Sequence, residues 1–303
     1  MMRGMSAAIS GLEASQTMLD VTANNLANVN TVGYKSQSTN FVDELSQTLT
    51  ASTGPNNYNG GNNAQQVGLG TEVGSIQNNM TQGSQQTTGN PLDIAIQGDG
   101  FLVVGTGQPV ATTVPNEPST YPTTTGNPAI EQYTRAGNLT LNSLGFLTTQ
   151  SGQYVMGYQT PATPTAGPSG PRYLNIPPGS TDVSVDVNGA VSYTDETATD
   201  TTYGQTVTAG YLGLASFPNE AGLVRDGGSL WSASPSSGLT PSPGTPNTDG
   251  FGQTIAGTLE GSNVDMATEF SNMITAQNSY EADAKVISTA DQMLQAVVNM
   301  PQG

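Results

Sequence analysis

Residues 5–26, MSAAISGLEASQTMLDVTANNL, carry an apolar side chain every seven positions at Met5, Leu12, Leu19 and Leu26. Ile9, Gln16 and Ala23 fill the alternate sites, which completes the 4-3-4-3 spacing of a helix made to lie along another helix. Residues 266–298 repeat the design. Met266, Met273, Tyr280, Ile287 and Leu294 form one series, with Phe270, Gln277, Ala284, Asp291 and Val298 as its companions. Between these segments the pattern is that of strands and loops. The expected fold class is α+β, with N- and C-terminal helices forming a coiled-coil-like inner domain and a mainly antiparallel β middle domain. Paired ends make the rest of the chain one long excursion, which suits an assembly subunit better than an enzyme.

Composition narrows the function further. Of 303 residues, 10% are charged and 34% hydrophobic, and 23 acidic against 6 basic residues leave a net charge of -17. The basic residues (Arg3, Lys35, Arg135, Arg172, Arg225, Lys285) are scattered singly, so no stripe can neutralise a run of phosphates. Nucleic acid and anionic membrane are therefore not expected as partners, and membrane insertion is not expected on the separate ground of apolar run length. There is no Cys and no His, which removes thiolate chemistry, Cys-ligated zinc and the commonest general base. No apolar run is long enough to span a bilayer, and Gly11-Leu12-Glu13 interrupts any apolar core of a signal peptide. An extracellular destination would thus be reached without a cleaved signal peptide.

The first helix is expected over residues 3–29, weakened by the Asn-rich run Asn24-Asn25-Leu26-Ala27-Asn28 and stopped at Gly33. Residues 41–49 fit either a short helix or a strand. The Gly- and Asn-rich stretch that follows is too polar for regular structure. Strand signals dominate from Val67 to Tyr158, with Phe101-Leu102-Val103-Val104 as a buried run and Asn142 to Leu147 as a hairpin. Pro109, Pro115, Pro118, Pro122 and Pro128 mark a loop insertion, and a Pro-rich linker is expected over 161–171. Asn188-Gly189, between alternating apolar runs, is the strongest local hairpin signal. Another linker is expected over 235–249, and Ser262 with Asp265 has the spacing of a capping box before the second helix. The resulting division is a terminal helical domain (1–33 and 262–303), an extended connector (34–75 and 250–261), a β-domain (76–160 and 206–249), and a linker with a small β-lobe or hairpin (161–205).

No constellation of catalytic residues stands out. Asp43-Glu44 and Asp195-Glu196 are sequence neighbours in polar surroundings, which describes solvated surface rather than an acid–base pair. Asp182, Ser184, Asp186 and Asn188-Gly189 faintly resemble a calcium loop, but the alternation suits a strand and no Glu follows at the twelfth position. Gly98-Asp99-Gly100 turns into a strand rather than a helix, so it is not a phosphate cradle. No catalytic, cofactor-binding or metal site is expected, and no cofactor. The terminal stripes could form a plain hairpin core. Yet about six apolar side chains per helix do not offset the entropy of ordering so long a segment. The helices are therefore expected to fold fully only against neighbouring copies, through Met5, Ile9, Leu12, Gln16, Leu19, Ala23 and Leu26 on the first. On the second the expected contacts are Phe270, Met273, Gln277, Tyr280, Ala284, Ile287 and Leu294.

Several quoted elements resemble the bacterial flagellar rod and hook proteins. Leu19-Asp20-Val21, Asn24-Asn25-Leu26-Ala27-Asn28-Val29-Asn30-Thr31 and Gly33-Tyr34-Lys35 are similar to that family's N-terminal signature. Gly89-Asn90-Pro91-Leu92-Asp93-Ile94-Ala95-Ile96, Gly98-Asp99-Gly100-Phe101 and Tyr133-Thr134-Arg135-Ala136-Gly137-Asn138 are similar to its central β-domain. Leu259-Glu260-Gly261-Ser262-Asn263-Val264-Asp265 and Ser288-Thr289-Ala290-Asp291-Gln292-Met293-Leu294 are similar to its C-terminal signature. The resemblance implies a helical homopolymer, a tube with terminal helices on its inner wall. It also implies a place in the flagellum outside the cell, with distal rod, hook–filament junction and hook cap proteins and the export apparatus as partners. Within the family the nearer likeness is to hook subunits, which would build a curved tube transmitting torque from rod to filament. A distal rod subunit is the alternative. A secreted β-rich adhesin or fibre protein is the alternative from a different class.

Overall fold

The computed structural model describes residues 2–55, 60–107, 130–158, 172–177, 179–195, 204–238, 242–248 and 250–299. The proline-marked insertion around 109–128 and the linker over 161–171 lie outside the described residues. Two helices lie near the ends of the chain and an antiparallel β middle lies between them. The chain divides into two compact units, one built from Met1–Asn28, Ser36–Asn79 and Val264–Gly303, the other from Val29–Lys35 and Met80–Asn263.

In the first unit, α1 spans Met2–Ala27, rich in Ala, Leu and Met and free of proline. It ends where the Asn28 N–H bonds back to the carbonyls of Asn24 and Asn25, at 3.2 and 3.1 Å. The Asn-rich run does not unwind it, because Asn28 Nδ2 caps the Asn24 carbonyl at 2.9 Å. Helix α2 spans Met266–Val298 and is capped by Asp265, three residues after Ser262. Asp265 is extended, and its carboxylate accepts from the Ala267 N–H at 3.0 Å and the Thr268 hydroxyl at 2.9 Å. Those two bonds hold its pKa below the usual aspartate value. Between the helices, β1 (Gln37–Asp43) pairs antiparallel with β4 (Thr71–Asn78), with a bulge between Asn40 and Phe41. β2 (Ser46–Thr50) pairs with β3 (Gln65–Gly68). Residues 41–49 are thus extended, and Phe41, Val42, Leu45 and Leu49 remain exposed.

In the second unit a central sheet has the strand order Thr181–Val185, Ala190–Thr194, Thr206–Leu212, Tyr154–Tyr158, Phe101–Thr106, Ile130–Thr134, Leu230–Ser232 and Val224–Gly227. Every pairing along it is antiparallel. Phe101 to Val104 shows why that run is apolar throughout. Leu102 and Val104 enter an aliphatic core with Ile94, Ile96 and Leu147, while Phe101 and Val103 enter an aromatic core with Tyr133, Phe217 and Trp231. Both faces of the strand are buried, so period-two alternation of polarity disappears. Tyr133 and Phe217 meet edge to face at 4.8 Å. The Asn188-Gly189 turn joins two paired strands, with Gly189 at φ +72 and its N–H bonded to the Asp186 carbonyl at 2.8 Å. Within residues 235–249, Ser242–Gly244 is a strand paired with Leu214–Ser216.

Candidate assembly surface

Two contacts fix how α1 and α2 lie together. Asn25 Nδ2 donates to Glu269 Oε1 at 2.9 Å, and a Cβ added at Gly11 would lie 2.6 Å from Asp283 Oδ2. The two contact points are fourteen residues apart on each helix, so the helices run antiparallel and hold one register over about four turns.

Small and polar residues, together with Val21, fill the seam. On α1 the buried positions are Ala8, Ala14, Val21, Thr22 and Asn25. On α2 they are Glu269, Ala276 and Ala290, and half-buried Asp283 completes a series of sevens. That series precedes the Phe270, Gln277 and Ala284 series by one residue, a turn of about 100° around the helix. The large apolar residues therefore flank the seam instead of filling it. Met5, Leu12, Leu19 and Leu26 are half-buried, while Ile9, Gln16 and Ala23 are exposed. Met273, Ala284 and Ile287 are half-buried, while Phe270, Gln277, Tyr280 and Leu294 are exposed. With small side chains between them, the backbones come close, and the bulkier residues point out to either side. Met266, Ile274, Val286, Met293, Val297 and Val298 are exposed as well. Scattered apolar residues on a surface are ordinary, but a long helix studded with them marks an interaction surface.

Asn25 is the polar centre of this unit. It is wholly buried, its Nδ2 also donates to the Gln37 carbonyl at 2.7 Å, and its Oδ1 accepts from the Gln37 N–H at 2.9 Å. One side chain thus ties α1, α2 and β1. Glu269 is buried beside it, and desolvation raises its pKa above the usual glutamate value against the opposing bonds from Asn25 and Asn272. Reading the sequence for apolar period alone missed both residues. A polar pair at seam spacing was the available signal.

The second unit holds a buried charge cluster. Glu260 is wholly buried, and its Oε1 accepts from Lys35 Nζ at 2.6 Å and from the Gly83 N–H at 3.0 Å. Lys35 Nζ also donates to the Thr81 carbonyl at 2.8 Å. Burial lowers the Lys35 pKa, and the Glu260 carboxylate opposes that shift. Arg135 Nη1 lies 3.5 Å from Glu260 Oε2, near enough for Coulomb attraction although neither atom has a hydrogen-bond partner. The Arg135 guanidinium sits 5.0 Å from the Phe101 ring centroid. Arg225 donates to the Lys35 carbonyl at 2.5 Å and lies over the rings of Tyr34 and Trp231. Gly33 belongs to the same cluster rather than to the helix end. At φ +67, a Cβ there would lie 2.7 Å from Ala136 N, and its N–H bonds to the Glu260 carbonyl. Three motifs far apart in the chain, around 33–35, 133–138 and 259–263, thus meet at one buried point. Their basic residues read as scattered only because sequence distance hides that meeting.

Among the described residues no group of His, Cys, Asp and Glu is arranged to hold a metal ion, and no helix is long and apolar enough to cross a membrane. The features that stand out are surfaces and joints.

Comparison with known proteins bears on the same segments. Residues 5–35 match the family described as flagella basal body rod protein, and residues 255–300 match the flagellar basal body rod FlgEFG protein C-terminal family. Residues 123–193 match the flagellar hook protein FlgE/F/G D1 domain. The chain is 34% identical to the flagellar basal-body rod protein FlgG of Bacillus subtilis over 300 residues, covering 99% of each chain. It is 36% identical to the protein of the same name from Agrobacterium fabrum over 302 residues, covering 98% of each. It is also 47% identical to the flagellar hook protein FlgE of Treponema pallidum, but over 108 residues, 36% of this chain and 23% of that one.

Proposed function

Because the chain belongs to the flagellar rod and hook protein family, whose members are structural subunits and not enzymes, we propose that it is a subunit of the distal rod. The observation that carries this reading is the end-to-end correspondence with basal-body rod proteins. The likeness to a hook protein is higher in identity but confined to about a third of the chain. That favours the rod over the hook subunit that the motifs suggested. The difference has a physical reason: motifs common to rod and hook proteins discriminate poorly between them, whereas the length and order of the whole chain carry more of the distinction.

In this reading copies associate head to tail through a heterologous contact that does not close, which generates a helical tube. The surface for it is the flank of the two helices, where Ile9, Phe270, Tyr280 and Leu294 are exposed and Met5, Leu12, Leu19, Leu26, Met273 and Ile287 are half covered. Gln16, Ala23, Gln277 and Ala284 lie on the same flank and tolerate partial wetting. Export without a cleaved signal peptide, a position outside the cell and contacts with neighbouring rod and hook components complete the proposal. Electron microscopy of basal bodies from a deletion strain tests it. Basal bodies that stop before the distal rod are the expected result. A complete rod lacking only its hook would overturn the rod reading in favour of the hook.

A further inference from the structure

The apolar exposure of α2 is concentrated towards its two ends. Val297 extends the seam series of Glu269, Ala276, Asp283 and Ala290 by seven residues, yet it is 51% exposed, and Val298 is 82% exposed. In the register set by Asn25 with Glu269 and Gly11 with Asp283, the described part of α1 lies opposite residues 267–292. Met293 and Leu294 stand one helical turn before Val297 and Val298, so the four share one exposed stripe that continues the seam beyond the described part of α1. Residues 292–299 contain no charged side chain.

At the other end, Met266, Phe270 and Ile274 recur every four residues and are 52%, 49% and 58% exposed. The one charged residue from 266 to 280 is Glu269, which is buried against Asn25. In a chain of net charge -17, most ways of bringing two copies together oppose like charges. These two stripes do not.

We propose that the last turns of α2 in one copy, through Met293, Leu294, Val297 and Val298, dock on the Met266–Phe270–Ile274 face of α2 in the next copy. The inference rests on the reading of the chain as a self-assembling axial subunit. Two different stripes at opposite ends of one helix make the contact heterologous, so it propagates. Pairing either stripe with itself would instead close a dimer and stop.

The chain has no cysteine, so Ala296→Cys and Ala267→Cys, at small exposed residues beside the two stripes, can be introduced as lone thiols in the full protein. Basal bodies isolated from cells producing the double variant are oxidised mildly and run on a denaturing gel without reductant. A ladder of multimers is expected from the double variant, and monomers from either single variant. If the double variant stays monomeric in the basal bodies, or if A296C alone forms dimers, the docking is wrong while the subunit reading survives. If the unmodified protein is absent from basal bodies, both fall. Val298→Asp, at a solvent-exposed site that folding tolerates, is expected to cut incorporation at least tenfold, while Leu144→Asp, at a residue 63% exposed in the other unit, leaves it unchanged. Equal incorporation of both variants overturns the proposal.

Discussion

Glu260 holds three segments with one carboxylate, and its replacement separates the roles of the cluster. Glu260→Leu leaves Lys35 and Arg135 buried without their counter-charge, so it is expected to cost about 3–5 kcal/mol. Lys35→Met leaves Glu260 still facing Arg135 and is expected to cost less. Urea denaturation of both variants gives the order, and the reverse order would show that Lys35, not Glu260, organises the site. Glu269 predicts a pH effect in the other unit. Its pKa is raised by burial, so the folded protein binds a proton that the unfolded chain has lost between the usual glutamate value and the raised one. The stability this provides is full below the usual value and is lost as pH rises through the raised one. Glu269→Gln keeps an oxygen to accept from Asn25 and is expected to flatten that dependence in melts from about pH 4 to 7. An unchanged slope would exclude Glu269 as its source.

Helix α2 presents two kinds of surface that respond differently to substitution. Ala276 is 1% exposed in the seam, where a larger side chain must push the helices apart. Ala276→Leu is expected to destabilise the protein by about 1–3 kcal/mol. Phe270 stands on the flank, 49% exposed, so Phe270→Ser is expected to change monomer stability by no more than about 0.5 kcal/mol. The same change is expected to lower incorporation into basal bodies. Thermal melts of the monomer and the amount of protein in isolated basal bodies measure the two effects separately. If F270S melts like A276L, the flank belongs to the monomer core and the division into seam and flank fails. The two-stranded ribbons of β1 with β4 and β2 with β3 show the same economy. Isolated two-stranded ribbons are marginal in water, and these keep Phe41, Leu49 and Ile76 exposed.

At the scale of the whole molecule, charge and assembly oppose each other. A chain of net charge -17 repels its own copies, and salt screens that repulsion over about 8–10 Å at physiological ionic strength. Polymerisation of purified protein is therefore expected to speed up when salt is raised from about 0.05 to 0.5 M, as followed by light scattering. Slower assembly at high salt would mean that attractive ion pairs dominate the contact. Much of the architecture was legible beforehand. Sevenfold spacing marked both helices, Asn188-Gly189 marked a hairpin, and the Phe101 to Val104 run marked a strand buried on both faces. These follow from local rules, because period and turn chemistry are properties of neighbouring residues. The seam itself was not legible, since apolar size pointed to Leu12 and Phe270 while close helix approach selected Ala14, Ala276 and Asn25. Nor was the cluster of Lys35, Arg135 and Glu260, whose members lie more than a hundred residues apart in places. The sequence by itself determined the two terminal helices, the buried Phe101 to Val104 strand and the Asn188-Gly189 hairpin, and that the ends carry surplus apolar surface, while it left residues 41–49 open and missed the strand Ser242–Gly244. Only the tertiary structure decided which face of each helix the partner covers, because that depends on how near two backbones come.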